Sequence, residues 1–339
     1  MIDLQLFEKQ ILTSLDERIL SLILFPTEKC NFRCSYCYED YNIGKMSKQT
    51  TNGIKKLISN RFNDLQLLDI SWFGGEPLLG KDIIYDISDF ILKNKPSSLN
   101  YTSNMTTNGY LLNETVFKKL IEYNIKYYQI SLDGDKDMHN ESRILANGKP
   151  TFDKIWENIT MMHHSDYDFN LMIRIHYTID NYKMLSSLIT KLNQQFSNDK
   201  RIKFYFKAVE RLGGINDSNI TQLDENEKAS IKSLLDNQIQ AKEQIESGYD
   251  INSQPHICYA SKPNSLAIRA NGRIAKCTVA LDNDRNDIGY ISPTGELHIN
   301  DKFNLWIQGL EGFHLPTLAC PLNRLKAEES MLQQSCKQS

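Results

Sequence analysis

Residues 28–39 read EKCNFRCSYCYE and place Cys30, Cys34 and Cys37 within eight positions, three of the seven cysteines in a chain of 339 residues. A tetrahedral structural zinc site normally takes four protein ligands, with its cysteines as one C-x2-C pair and a second pair further on. A group of three spaced C-x3-C-x2-C is one short of that. An iron–sulfur cube has four irons, so three thiolates on one loop leave one iron open to a small molecule. The group follows the apolar run LSLILF at residues 20–25, which puts the thiols at the end of a strand.

Outward from that loop the chain keeps one rhythm as far as residue 207. The runs LSLILF, LLDISW, YTSNMTT, KYYQISL, FNLMIRIHYTI and IKFYFKA alternate with stretches of helical spacing, such as Ile54, Leu57, Ile58 and Phe62, or Ile83, Ile84, Ile87, Phe90 and Ile91. Ser47, Asn113 and Thr151 each precede such a stretch and can cap its free N–H groups. Strand then helix, repeated about six times, predicts a parallel sheet curled into an open or partial barrel. Ligands of such sheets sit beyond the carboxyl ends of the strands. The other conspicuous motifs fall there: FGGEP (73–77) after the second strand, TTNG (106–109) after the third and SLDG (131–134) after the fourth. Each alone reads as a tight turn, and it is their recurrence at one sheet edge that points to a site.

Composition sets the outer limits. With 40% hydrophobic and 24% charged residues the chain can bury a large core, and a net charge of -3 with mixed signs gives no electrostatic case for a nucleic acid or an anionic membrane as partner. The opening MIDLQLFEKQILTSLDERILSLILF has acidic residues where a secretory signal needs basic ones, and its apolar run is too short to span a bilayer. A cytoplasmic location is expected, where thiols serve as metal ligands or catalytic groups more often than as disulfides.

The combination of C-x3-C-x2-C, Tyr36 before the last cysteine, GGEP, TTNG and SLDG resembles the radical S-adenosylmethionine (radical SAM) enzymes. The resemblance implies a partial (β/α)6 TIM-like barrel of α/β class, in which Cys30, Cys34 and Cys37 hold a 4Fe–4S cluster. S-adenosylmethionine chelates its open iron and is cleaved to a 5'-deoxyadenosyl radical. Residue by residue it implies that Gly74, Gly75 and Glu76 approach the methionyl ammonium, that Asn108 and Ser131 lie near the ribose, and that Tyr36 covers the cluster. The run 131–159, SLDGDKDMHNESRILANGKPTFDKIWENI, is similar to the signature of peptide-modifying members with a SPASM or twitch extension. There Arg143 corresponds to an arginine on the cofactor carboxylate, a role suited to a planar, permanently charged group. His139, in the same run, reads more readily as a structural hydrogen-bond partner than as a catalyst.

After residue 207 the pattern changes. Residues 223–250 are a charged helical stretch, read as a connector. In CYASKPNSLAIRANGRIAKC (258–277), thirteen residues separate Cys258 from Gly272 and four more separate Gly272 from Cys277, with a hairpin turning at Asn271-Gly272. This spacing resembles the entry to a SPASM/twitch domain, a small α+β unit. A full SPASM domain would continue with a second cysteine-rich stretch, whereas here LPTLACPLNRLKAEESMLQQSCKQS has Thr317 in place of a cysteine before Cys320. One auxiliary 4Fe–4S cluster is therefore expected, on Cys258, Cys277, Cys320 and, least securely placed because it lies three residues from the end, Cys336. The expected boundaries are an N-terminal extension at 1–19, the barrel at 20–215, a connecting helix at 216–250 and the auxiliary-cluster domain at 251–339.

The resemblance implies an oxidoreductase that abstracts hydrogen from a ribosomally made peptide to install a thioether or carbon–carbon crosslink, an epimerised centre or a related change. An external electron donor of flavodoxin or ferredoxin type is implied. With about twenty residues before the first strand, leader-peptide recognition is expected to be absent, to fall to a separate leader-binding protein or to lie on the barrel rim. The alternatives are a formylglycine-generating sulfatase maturase and a non-enzymatic iron–sulfur electron-transfer protein. Against the first, Thr278 follows Cys277 where that subgroup carries an aspartate, and a threonine cannot act as a base near neutral pH.

Overall fold

The computed structural model describes residues 4–246 and 256–338. Six strands, β1 (Ile19–Leu24), β2 (Leu67–Trp72), β3 (Asn100–Thr107), β4 (Ile125–Leu132), β5 (Asn170–Tyr177) and β6 (Ile202–Ala208), lie side by side in chain order, and each neighbouring pair is parallel. The main helices between them span Lys48–Arg61, Lys81–Asn94, Glu114–Glu122, Phe152–His164 and Ser186–Phe196. This is the strand–helix barrel expected from the apolar rhythm. Side chains alternate across each strand, so Leu68, Ile70 and Trp72 of β2 are buried under the helices while Leu67, Asp69 and Ser71 point to the opposite face. Each such apolar side chain contributes roughly 1.5–3 kcal/mol on burial. Helix positions Ile54, Leu57 and Ile58, and Ile83, Ile84, Ile87 and Ile91, supply the covering layer.

Two of the three expected caps are formed. Ser47 and Asn113 accept hydrogen bonds from the amides of Thr50 and Val116. Thr151 does not cap with its side chain. Its hydroxyl donates to the Arg143 carbonyl and meets His139 Nε2, and Asn140 Oδ1 instead accepts from the Thr151 and Phe152 amides.

The sheet continues into the C-terminal segment. β7 (Ser265–Ile268) pairs parallel with β1, and β8 (Arg273–Ala275), β9 (Gly289–Ile291) and β10 (Leu297–Ile299) follow as antiparallel neighbours, giving ten strands in the order β10-β9-β8-β7-β1-β2-β3-β4-β5-β6. β7 and β8 form the hairpin read at Asn271-Gly272. The junction is reinforced by an ion pair in which the half-buried Arg269 donates to both carboxylate oxygens of the buried Glu28, at 2.6 and 3.2 Å, while the Ala270 amide also donates to Glu28. The loop that carries the cysteine triad is thus tied to the C-terminal hairpin. The helix expected across 223–250 is shorter, Glu225–Gln238, because Ile239 turns extended and buries its side chain in the core. Residues 247–250 lie outside the described residues. Among the described residues no helix is long and apolar enough to cross a membrane.

Candidate active site

The triad loop folds into a short strand, Phe32–Cys34, antiparallel to Arg143–Leu145. In that register Cys34 stands opposite Arg143. Cys30, Cys34 and Cys37 line one cavity of about 370 Å³ at the carboxyl end of the parallel strands. Burial pushes all three thiols up, Cys34 to about 11 with Arg143 opposing the rise, so their thiolates need a cationic partner. The six described cysteines are all free thiols. Among the described residues no group of three or more His, Cys, Asp or Glu is drawn together tightly enough for a single metal ion.

The far wall is the glycine pair. Gly74 has φ +113°, and a Cβ on it would stand 2.2 Å from the Thr27 carbonyl oxygen; one on Gly75 would stand 2.7 Å from the carbonyl oxygens of Glu28 and Lys29. Only residues without a side chain let this strand end lie flat against the approach to Cys30. Glu76 is buried and outside the cavity lining. One carboxylate oxygen accepts from Thr107 Oγ1 at 2.7 Å and from the Leu78 amide, and the other accepts from the Asn108 amide at 2.8 Å. Glu76 therefore joins the turn after β2 to the turn after β3. Asn108 lines the cavity and donates to Asn31 Oδ1 at 2.8 Å. Ser131, Tyr36 and Arg143 complete the sequence-predicted lining.

Behind these residues runs a buried polar network. Arg143 Nη1 donates to Tyr36 Oη at 2.7 Å, and Tyr36 donates in turn to Asp133 Oδ1 at 2.9 Å. His176 Nδ1 lies 3.0 Å from the same oxygen, and Ser142 donates to the other at 2.6 Å. Burial raises the Asp133 carboxyl, but the hydrogen bond to His176 and the charge of Arg143 outweigh it and hold the carboxyl well below its usual range. Burial pushes His176 down to about 4 and His139 down to about 3, so both imidazoles are neutral near pH 7. A neutral His176 then carries its proton on Nδ1, toward Asp133. Arg143 is itself buried, and its Nε has no partner. It is a preoriented donor fork with capacity for a carboxylate.

The C-terminal segment reaches this cavity through Thr278 and Val279. Thr278 is held by Tyr259, whose hydroxyl accepts from the Thr278 amide at 2.9 Å and lies 2.8 Å from its side-chain oxygen. Cys277, just before it, converges with Cys258 and Cys320: burial pushes the Cys258 thiol up to about 11 and raises that of Cys277, with Cys277 and Cys320 adding to the rise at Cys258 and Cys320 to that at Cys277. The Cys258 amide donates to the Leu318 carbonyl, and Asn286 Oδ1 accepts from the amides of Lys276 and Cys277. Cys336 falls in the helix Pro321–Gln338, and its side chain lies outside the described residues.

Sequence reading missed Gln129, Arg174, His176, Lys207 and Glu210, all of which line the cavity. A signal was present in IRIHY, where Arg174 and His176 interrupt an apolar strand at period two and must share a face.

Residues 24–188 match the Radical SAM superfamily. Among curated proteins, the cysteine-type anaerobic sulfatase-maturating enzyme of Clostridium novyi is 30% identical over 161 residues, 45% of this chain and 43% of that protein. The GTP 3',8-cyclase of Microcystis aeruginosa is 32% identical over 148 residues, 42% of this chain and 43% of that protein. The matched segment thus spans less than half the length of these relatives. Among solved structures, native anSMEcpe with bound AdoMet and Kp18Cys peptide superposes with a TM-score of 0.65 at 18% identity, covering 84% of this chain and 80% of that one. Streptococcus suis SuiB bound to precursor peptide SuiA gives 0.61 at 15% identity, covering 91% and 71%. At these identities the likeness is one of fold.

Proposed function

Because the chain carries a radical SAM domain at residues 24–188, we propose that it is an enzyme acting on a peptide, with a 4Fe–4S cluster on Cys30, Cys34 and Cys37 and S-adenosylmethionine in the adjoining cavity. The observation that carries this reading is the convergence of three free, half-buried thiols, a side-chain-free glycine wall and a buried, partly unpartnered arginine on one cavity. Bound there, the cluster and its cofactor supply a 5'-deoxyadenosyl radical on reduction by an external flavodoxin- or ferredoxin-type donor. The chain's own residues bind and orient. Arg143, fixed by Tyr36, presents its free donors to the cofactor carboxylate, the Gly74–Gly75 backbone approaches the ammonium, and Asn108 and Ser131 hold the ribose hydroxyls. Thr278 and Val279 wall the cavity and restrict water. Cys258, Cys277 and Cys320 fit an auxiliary cluster, being three free thiols, Cys277 buried and the other two half-buried, gathered at one place. Two solved structures of the same fold contain peptides, Kp18Cys and SuiA, and this supports a ribosomally made peptide as substrate, modified by crosslinking, epimerisation or related hydrogen abstraction.

Relatives named as sulfatase-maturating enzymes support a second reading, formylglycine formation on a protein cysteine or serine. The residue after Cys277 supplies no carboxylate base for that oxidation, and the lining carboxylates are occupied or displaced in pKa. Thr278 is a hydroxyl, burial pushes Glu39 up to about 8, and Glu210 is bound between Lys207 and Lys228. To test the assignment, reconstituted protein is reduced with dithionite beside S-adenosylmethionine. Release of 5'-deoxyadenosine by the wild type and none above background from Cys34→Ala is expected. Equal release by both would refute it.

A further inference from the structure

Three cations line the cavity, Arg143, Arg174 and Lys207. Arg143 bonds to Tyr36, and Lys207 pairs with Glu210 at 2.5 Å. The Arg174 side chain has no hydrogen-bond or ion-pair partner among the described residues, and its Nε is buried and unsatisfied. It lies on β5 two residues before His176, hence on the same face, and its register partner on β4 is Ser131.

A half-buried guanidinium without an anion is an expensive arrangement, since burial removes solvation that only a counter-charge restores. No carboxylate in or behind the wall pairs with it. Asp133 already accepts from Tyr36, His176 and Ser142. Glu210 lies between Lys207 and Lys228, at 2.5 and 2.6 Å. Glu39 makes no ion pair with Arg174, and its charged neighbours are Glu28, Arg269, Asp40 and Asp282. The anion must therefore enter with a ligand, and a guanidinium presents paired donors that match a carboxylate in two-pronged fashion.

We infer that the peptide presented to this cavity carries a carboxylate that seats on Arg174, so that the substrate is acidic at or beside the residue being modified. The inference rests on the peptide reading above. Its carboxylate has two possible sources, an Asp or Glu side chain and the C-terminal carboxylate of a short peptide.

The test uses four fluorescent pools of nonapeptides, randomised around a central Asp or Asn, each ending as acid or amide. They are titrated by anisotropy against reconstituted, S-adenosylmethionine-loaded wild type, Arg174→Gln and Arg174→Lys. For the wild type, a charge-assisted pair predicts roughly tenfold or stronger preference for a carboxylate-bearing pool over the Asn-amide pool. Preference for central Asp assigns the side chain, and preference for the terminal acid assigns the C-terminus. In Arg174→Gln the preference should collapse to within about twofold, and in Arg174→Lys part of it should survive. Pools that the wild type does not distinguish, bound or unbound, overturn the inference, as does a preference that persists in Arg174→Gln. So does a fall in S-adenosylmethionine affinity in Arg174→Gln as large as the fall for the acidic pool, since Arg174 would then serve the cofactor. Failure of the parent reading shows separately, as absence of 5'-deoxyadenosine from the wild type under dithionite.

Discussion

Two cysteine sets in this chain are built in opposite ways. Cys30, Cys34 and Cys37 come from eight consecutive positions on one loop, whereas Cys258, Cys277 and Cys320 come from three segments that only the fold brings together. The first set needs a floor, which the glycine pair provides, and an opposite wall, which Arg143 provides through the Phe32–Cys34 ribbon. The second needs cross-bracing: the Cys258 amide on Leu318, and Asn286 on Cys277. A local set survives loosening of distant structure, while a gathered set is only as good as its braces. That difference can be probed from both sides.

The largest effect is expected where the two regions meet. Glu28→Ala leaves the half-buried Arg269 without its counter-charge and the buried Ala270 amide without its acceptor, which together cost about 3–5 kcal/mol, read as a lower urea midpoint. Arg269→Met beside it should restore part of the loss, and a double mutant no better than Glu28→Ala would show that the ion pair does not join the two regions.

A somewhat smaller loss is expected at the brace of the gathered set. Asn286 is buried and makes four hydrogen bonds, accepting from the Lys276 and Cys277 amides and donating to the carbonyls of Cys277 and Ala280. Asn286→Ala strands these groups at about 2–4 kcal/mol. Alkylation of Cys277 should accelerate in the apo protein, while Cys34 reacts as before. Equal acceleration at both would mean that the sets are not mechanically separate.

The smallest effect is a pH dependence to which the barrel contributes through His176. His176 is depressed from 6.5 to about 4 in the folded chain, so the unfolded chain takes up the proton first as pH falls. The stability it contributes is whole above pH 6.5 and is lost progressively from there toward pH 4, at most by about 2–3 kcal/mol. Below that window the depressed carboxyl of Asp133 takes over with the same sign. His176→Gln should make the slope between pH 6.5 and 4 shallower, leaving the share of His139 and His256, and an unchanged slope would contradict this placement of the imidazole.

The same contrast governs what could be read from sequence. The six parallel strands, the triad and the turns at each strand end were legible because each is written in residues close together, in periods of two or 3.6 and in turn motifs. The hairpin at Asn271-Gly272 was legible for the same reason. Thr151 stood in a capping position, yet its hydroxyl is drawn to Arg143 and His139, which come near only when the ribbon at residues 143–145 folds back. Glu76 sat in a motif pointing to the ligand, but its carboxylate ties two strand-end turns together, a job set by a neighbouring strand. Arg174 and Glu210 gain meaning only once β4, β5 and β6 lie side by side.

The most direct test of the account sets the two triads against each other in one anaerobic experiment, counting iron and 5'-deoxyadenosine for the wild type and two triple alanine variants. With one cluster on each set, the wild type should hold about eight irons per chain and each variant about four. Replacement of Cys30, Cys34 and Cys37 should abolish S-adenosylmethionine cleavage, whereas replacement of Cys258, Cys277 and Cys320 should leave it measurable under dithionite. Undiminished cleavage by the first variant, or a wild type holding only four irons, would contradict the account.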